Sequence, residues 1–281
     1  MFKRFLHIFY PDTYTLSNGK VVKEKFKWTP YIVIAVSLLV IFCCVITKVD
    51  FHKFIVRFNK GFTFVVRMFN PDWAYWKTLK NAMIDTIVIS VVGTAFGMIL
   101  ALPLSFFLAN NFKLNKIYLA THRGILSLFR TLPTLIYAQL LALIIGFGST
   151  AGVIATAIFT YTVAVKMLYE QIETVDMGPY EALESTGASK LKCMFKAVYP
   201  QVNGYFWSTV LYCFEMNVRS SAILGYVGAG GIGQNLNAVL GNMKYERAGL
   251  IVFVMIIVVV IIETITRELR KKLVAGEWVR K

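Results

Sequence analysis

Long apolar runs alternate along this chain with short polar, cation-rich segments, and the length of each charge-free run limits what it can form. Tyr31 to Thr47 carries no charge. At about 1.5 Å per residue it nearly fills the ~30 Å hydrocarbon layer of a bilayer. Its polar flanks, with no small-residue cleavage site, predict an uncleaved helix rather than a signal peptide. Thr86 to Ala109 predicts a second crossing. Thr131 to Val165 is also uncharged, but as one helix it would run about 52 Å, too long for a single crossing. The run GFGSTAG, Gly146 to Gly152, breaks it into a hairpin. Arg130 and Lys166 then each lie about 27 Å from the turn at Gly148, on the same side and near the headgroups. Gly204 to Tyr226 and Tyr245 to Ile262 complete six predicted crossings.

Between the first two crossings the pattern changes. Over residues 51–70, Lys53, Arg57, Lys60 and Arg67 fall on one helical face at about 100° per residue, and Phe54, Ile55, Phe58, Phe62, Val65, Val66 and Phe69 on the other. This predicts an amphipathic helix lying in the outer interface, either as an anchor or as a basic rim for an anionic cargo or its carrier. Trp73 and Trp76 follow as interfacial aromatics. The implied organisation is a cytoplasmic segment 1–30, a first transmembrane helix 31–48, the amphipathic helix 51–70, a core of five further crossings 80–265 and a basic cytoplasmic tail 266–281.

Composition narrows the class. The chain has 281 residues, 57% of them hydrophobic, with mean hydropathy +0.61 and 16% charged. A soluble domain cannot hide that much apolar surface, so the expected fold class is an all-α polytopic membrane protein. Net charge is +15, and on apolar spans such charge marks cytoplasmic loops against a lipid bilayer rather than a nucleic-acid partner. Lys3, Arg4, Lys20, Lys23, Lys25 and Lys27 put the N-terminus inside. After six crossings Arg267, Arg270, Lys271, Lys272, Arg280 and Lys281 put the C-terminus inside as well. Cys43, Cys44, Cys193 and Cys213 have no zinc-like spacing, and His7, His52 and His122 are scattered, so no metal, disulfide framework or cofactor is expected.

The fifth predicted crossing holds the residues most expensive to place in lipid. Glu215 lies about 16 Å past Gly204 and Arg219 about 22 Å. Each would cost on the order of 2.5 to 3.5 kcal/mol facing lipid, so they should face a bundle interior or a wet path. Their i, i+4 spacing allows them to pair on one face, with Asn217 as a further hydrogen-bonding group. Either the pair locks packing, or Arg219 is a station for an anion, held by Glu215 until the anion competes for its planar fork. After it comes GYVGAGGIGQ, with Gly228, Gly230, Gly231 and Gly233. A membrane helix precedes it where a dinucleotide fingerprint needs a strand, so the glycines are read as a close-packed bend between crossings.

The remaining feature is a polar island on the predicted cytoplasmic side, EALESTGASKLKCMFKAVYP at 181–200. Pro179 suits a first helical turn, and Gly187 offers the left-handed conformation that stops that helix. Ser189 is placed to cap a second helix running to Val198 and ending before Pro200. Glu181 and Ala182, then Gly187 followed by Ala188, then Pro200 resemble the EAA loop of ABC-transporter permeases. Leu183, Ala197 and Tyr199 depart from the usual residues. Together with NVRSSAILGYVGAGGIGQ and the Arg-Thr-Leu-Pro at Arg130 to Pro133, the chain resembles the phosphonate-uptake type over about residues 75–265. That resemblance implies a type I importer permease fold whose loop 173–200 carries a coupling helix. It also implies a homodimeric pore, a cytoplasmic ATP-binding subunit dimer that performs the hydrolysis, an extracytoplasmic substrate-binding protein, and a cell-membrane location. The cargo would be phosphonate, phosphite, a phosphate ester or a related solute. The alternatives are a methionine-type or other small-solute importer permease and a secondary transporter; the latter usually shows internal repeats and leaves the island unexplained.

Overall fold

The computed structural model describes residues 13–15, 19–23, 28–48, 50–112 and 115–274. Lys3, Arg4, Lys25, Lys27, Arg280 and Lys281, on which part of the charge pattern rests, lie outside the described residues, as does His7. The chain forms two compact units, Met1–Thr63 and Phe64–Lys281.

In the first unit, strands β1 (Thr13–Thr15) and β2 (Val21–Lys23) pair antiparallel with Thr13 opposite Lys23. Helix α1 spans Thr29–Ile46 with Pro30 in its first turn and buries none of its side chains against protein. Helix α2, Phe51–Met68, begins here. Asp50 caps it: its Oδ1 accepts from the Lys53 N–H at 3.0 Å and its Oδ2 pairs with Lys53 Nζ at 3.0 Å. These bonds hold the Asp50 carboxyl below the ordinary carboxylate range. Lys53, Arg57 and Arg67 on the polar face are exposed, and so are Ile55, Phe58, Phe62, Val65 and Val66 on the apolar face.

The second unit is helical throughout its described part. Its helices are α3 (Trp76–Leu108), α4 (Lys116–Thr131), α5 (Thr134–Ile145), α6 (Ser149–Ile172), α7 (Gly178–Ser185), α8 (Lys190–Cys193), α9 (Tyr199–Tyr226), α10 (Gly231–Gly241) and α11 (Tyr245–Val274). The pairing of α3 with α6 is set by small residues. A Cβ on Gly93 would sit 1.9 Å from Thr156 Oγ1, and one on Gly97 2.6 Å from Thr160 Cβ, so only glycine lets the helices approach this closely. Along α3, Thr86, Ser90 and Thr94 are buried, and each donates its hydroxyl to the carbonyl four residues back at 2.9, 2.8 and 2.6 Å. This satisfies their hydroxyl protons within α3 and leaves the oxygens of Thr86 and Thr94 to accept hydrogen bonds from outside that helix.

Among the described residues, four helical stretches are long and apolar enough to cross a membrane: α1, Trp73–Leu108 containing α3, α6, and Tyr245–Leu273 within α11. The bent pair α4–α5 makes a fifth if taken as one span.

The structure corrects several sequence boundaries. The third crossing does not start as a straight helix at Thr131: α4 and α5 meet at 86°, because Pro133 disfavours a helical conformation at Leu132, which is extended. The Tyr137 hydroxyl donates to the Phe129 carbonyl across that bend. Helix α5 has 12 residues, about 18 Å, less than a bilayer core. The helix begun after Ser189 does not end before Pro200. It passes through a π-turn at Met194–Val198 into α9, where the wider turn tolerates the proline ring and its missing donor. The stretch after the glycine run contains helix α10 rather than only a loop. The start of the predicted tail, up to Val274, continues α11.

Candidate functional site

Glu215 is 8% exposed, and its two oxygens have different partners. Oε1 accepts from Arg219 at 2.9 Å on the same helix, as the i, i+4 spacing predicts. Oε2 accepts from Arg270 at 2.8 Å and Thr266 at 3.2 Å, both on α11. Arg219 also reaches Glu263 at 3.4 Å, and its side chain stays 55% exposed. The expected pair is thus part of a four-charge cluster that ties α9 to α11, with two arginines against two carboxylates. Arg270, Glu263 and Thr266 are absent from the sequence-based site. Their spacing of i, i+3, i+7 at 263, 266 and 270 puts them on one helical face, which is the signal that could have found them.

Asn217 does not join this cluster. Two residues on from Glu215 it faces the other side of α9, fully buried, and donates to Thr94 Oγ1 at 2.8 Å and Thr160 Oγ1 at 2.7 Å. It is a polar node where α3, α6 and α9 meet, and its Oδ1 has no hydrogen-bond partner among the described residues.

Arg130 and Lys166 do come together. They line one small cleft with Arg123, Leu126, Ser127, Thr162 and Tyr169. Arg123 is held rigidly: its Nε donates to the Leu108 carbonyl at 3.0 Å, its Nη2 meets Glu173, and its guanidinium lies 4.2 Å from the centre of the Tyr169 ring. Arg123, Ser127, Thr162 and Tyr169 were not among the sequence candidates, because no local pattern joins α4 to α6.

The glycine run does form a tight bend. Gly228, Gly230 and Gly231 have φ of +81°, +78° and +71°, a region that disfavours any residue with a Cβ. Gly233 packs inside α10, where a Cβ would lie 2.1 Å from the Ala222 carbonyl. The bend is pinned by Gly148 N–H to the Gly228 carbonyl at 2.9 Å and by Ile232 N–H to Thr86 Oγ1 at 2.8 Å.

The polar island folds as helix, turn, helix. Gly187 stops α7 with φ +81°, its N–H bonding the Glu184 carbonyl at 3.0 Å and the Ala188 N–H bonding the Leu183 carbonyl at 3.4 Å. Tyr180 is buried beside Phe112, with ring centres 5.4 Å apart, and burial raises its phenol pKa. Glu181, Ala182, Gly187 and Pro200 are exposed and Ala188 half-buried. Leu191 and Phe195 add apolar surface at 60% and 55% exposure, so the outward face mixes a carboxylate with large apolar groups. The base is tied to α9 by Gln201, which accepts from the Asp176 N–H at 3.1 Å and donates to the Asp176 carbonyl at 2.9 Å.

Comparison with known proteins fits this architecture. The phosphite transport system permease protein PtxC of Stutzerimonas stutzeri is 32% identical over 201 residues, covering 72% of this chain and 73% of PtxC. The phosphate-import permease protein PhnE of Mycolicibacterium smegmatis is 35% identical over 209 residues, covering 74% of this chain and 39% of PhnE. Among solved structures, a chain of the methionine ABC transporter MetNI in an inward-facing conformation superposes with TM-score 0.63 at 20% identity, over 72% of this chain and 99% of that one. The fold is therefore that of an ABC-transporter membrane chain. The family model described as "Binding-protein-dependent transport system inner membrane component" matches residues 93–274, and the chain belongs to that family.

Proposed function

We propose that this chain is the pore-forming permease of an ATP-driven importer for a phosphorus oxyanion, with Arg219 as the cationic station on the path. As a member of its family the chain is a transport subunit, and ATP hydrolysis belongs to a separate subunit. The observation that carries the reading is the state of Arg219. Its carboxylate partner Glu215 is buried, yet the Arg219 side chain remains 55% exposed, so an arriving oxyanion can meet the planar fork without first breaking the bond to Glu215. Relatives 32% and 35% identical are named for phosphite and phosphate transport. The methionine-transporter likeness, at 20% identity, concerns fold alone.

In this reading there are six crossings: α1, α3, the bent pair α4–α5, α6, α9 and α11. Helix α9 counts although Glu215, Asn217 and Arg219 lower its apolar character, because these groups have partners inside the protein. Both termini are cytoplasmic, and α2 lies in the outer interface. The face formed by Glu181, Leu191 and Phe195 docks on the cytoplasmic ATP-binding subunits. A second copy of the chain completes the pore, and an extracytoplasmic binding protein delivers the cargo.

The test is uptake by the complex reconstituted in liposomes with its ATPase and binding protein. ATP-dependent uptake of phosphite or a phosphonate is expected, abolished by Arg219→Gln and weakly retained by Arg219→Lys. Uptake without the ATPase would favour a secondary transporter, and normal uptake in Arg219→Gln would remove the station.

A further inference from the structure

We infer that the cleft between α4 and α6, lined by Arg123, Arg130 and Lys166, is a second oxyanion site, built to hold a phosphate-type group apart from Arg219. Its lining carries three cations, the hydroxyl groups of Ser127, Thr162 and Tyr169, and no carboxylate. The acids that balance two of the cations stand outside the lining. Glu173 pairs with Arg123, and Glu170 meets Lys166 at 3.5 Å. Arg130 has no ion-pair or hydrogen-bond partner among the described residues. The local balance is therefore one positive charge in excess, with Arg130 as its source.

Size and chemistry agree with that charge. The cavity holds about 50 Å³; one water needs roughly 10 to 15 Å³ on the same scale, so a single tetrahedral oxyanion replaces the few waters it would contain. Arg130 supplies a planar fork and Lys166 a point charge. Arg123 is committed to the Leu108 carbonyl and Glu173 and acts as a fixed wall rather than a mobile ligand. A site with one uncommitted guanidinium between two neutralised cations favours a small anion of low charge over a polyanion.

Two sources offer that group at this end of the bundle: the headgroup phosphate of an anionic phospholipid, and a free phosphorus oxyanion leaving the path. Only the second rests on the cargo proposed above. The experiment therefore reads binding, not uptake, on the purified full chain. One arm measures equilibrium binding of radiolabelled inorganic phosphate at low salt in phosphatidylcholine nanodiscs. The other measures retention of phosphatidylglycerol against phosphatidylcholine by native mass spectrometry. Arg130→Gln, Lys166→Gln, the double variant and a control, Lys77→Gln on the exposed side of α3, are compared after checking that each is monodisperse with an unchanged melting temperature.

The inference expects Arg130→Gln to weaken binding on the order of tenfold or more, the range of one lost charge-assisted bond, in at least one arm, with Lys77→Gln unchanged. Loss in the phosphate arm identifies a free ion, and loss in the lipid arm a headgroup. Wild-type chain that neither binds phosphate saturably nor prefers phosphatidylglycerol overturns the site. So does binding that persists undiminished in the double variant, which would place the anion elsewhere, including at Arg219.

Discussion

Arg270 on α11 donates to Glu215 on α9 at 2.8 Å, 55 residues away in sequence, and this bond changes what the Glu215–Arg219 pair means. Glu215 is shared by two arginines, while Arg219 has Glu263 as a second acceptor. Removing Glu215 and Arg219 together would therefore not delete an isolated pair. It would strand Arg270, whose Nε is already buried without a hydrogen-bond partner among the described residues.

The first prediction follows from that asymmetry. Glu215→Gln should destabilise the chain by about 1 to 3 kcal/mol, since it leaves a partly buried guanidinium without its counter-charge. Arg219→Gln should cost less, because Arg219 is half exposed and Glu215 keeps Arg270. Replacing Glu215 and Arg270 together by leucine should recover most of the loss. Thermal unfolding of the detergent-solubilised chain ranks the variants; equal losses for Glu215→Gln and Arg219→Gln would contradict the shared-hub geometry.

A second prediction concerns coupling at Gly187. A Cβ there meets nothing within 4 Å, but φ is +81°. The penalty is thus backbone strain rather than a clash, about 1 to 2 kcal/mol for an ordinary residue. Gly187→Val should leave the protein in the membrane while uncoupling ATP hydrolysis from uptake. Gly187→Asn, which tolerates the left-handed region, should keep most of the transport. Substrate-stimulated uptake at the normal rate in the valine variant would count against a coupling role.

The third tests Asn217 as a packing node rather than a path residue. Asn217→Ala removes bonds to Thr94 and Thr160 at full burial, and should lower stability by about 2 to 3 kcal/mol. Thr94→Val leaves the bond to Thr160 and should cost less. Melting temperatures check the order, and a large uptake defect in Asn217→Ala without any loss of stability would return Asn217 to the path.

The fourth concerns the contact between α3 and α6. Gly93→Ala forces a methyl to within 1.9 Å of Thr156 Oγ1, and overpacking of this kind typically costs about 1 to 3 kcal/mol. Thr156→Gly in the same chain removes the obstructing side chain and should restore part of the stability. Absence of any rescue would mean that the strain lies in the backbone contact with Val153.

Much of this architecture was legible in the residues themselves. The length of each charge-free run located α1, α3, α6 and α11, because a bilayer sets a minimum apolar length and helix rise converts residues to ångströms. The i, i+4 spacing placed Arg219 beside Glu215, and Gly187 marked the end of α7, since both are decided within a turn of helix. The GFGSTAG break was equally local. What tertiary structure alone decided were relations between distant segments. Examples are Arg270 and Thr266 on Glu215, Thr94 and Thr160 on Asn217, and Arg123 with Tyr169 beside Arg130 and Lys166. Sequence periodicity gives the face on which a residue stands but not the helix that face meets. Such registers are set by close packing, as at Gly204 of α9, where a Cβ would lie 2.6 Å from the Leu273 carbonyl of α11, and at Gly93 and Gly97 between α3 and α6, and those contacts exist only once the helices have come together.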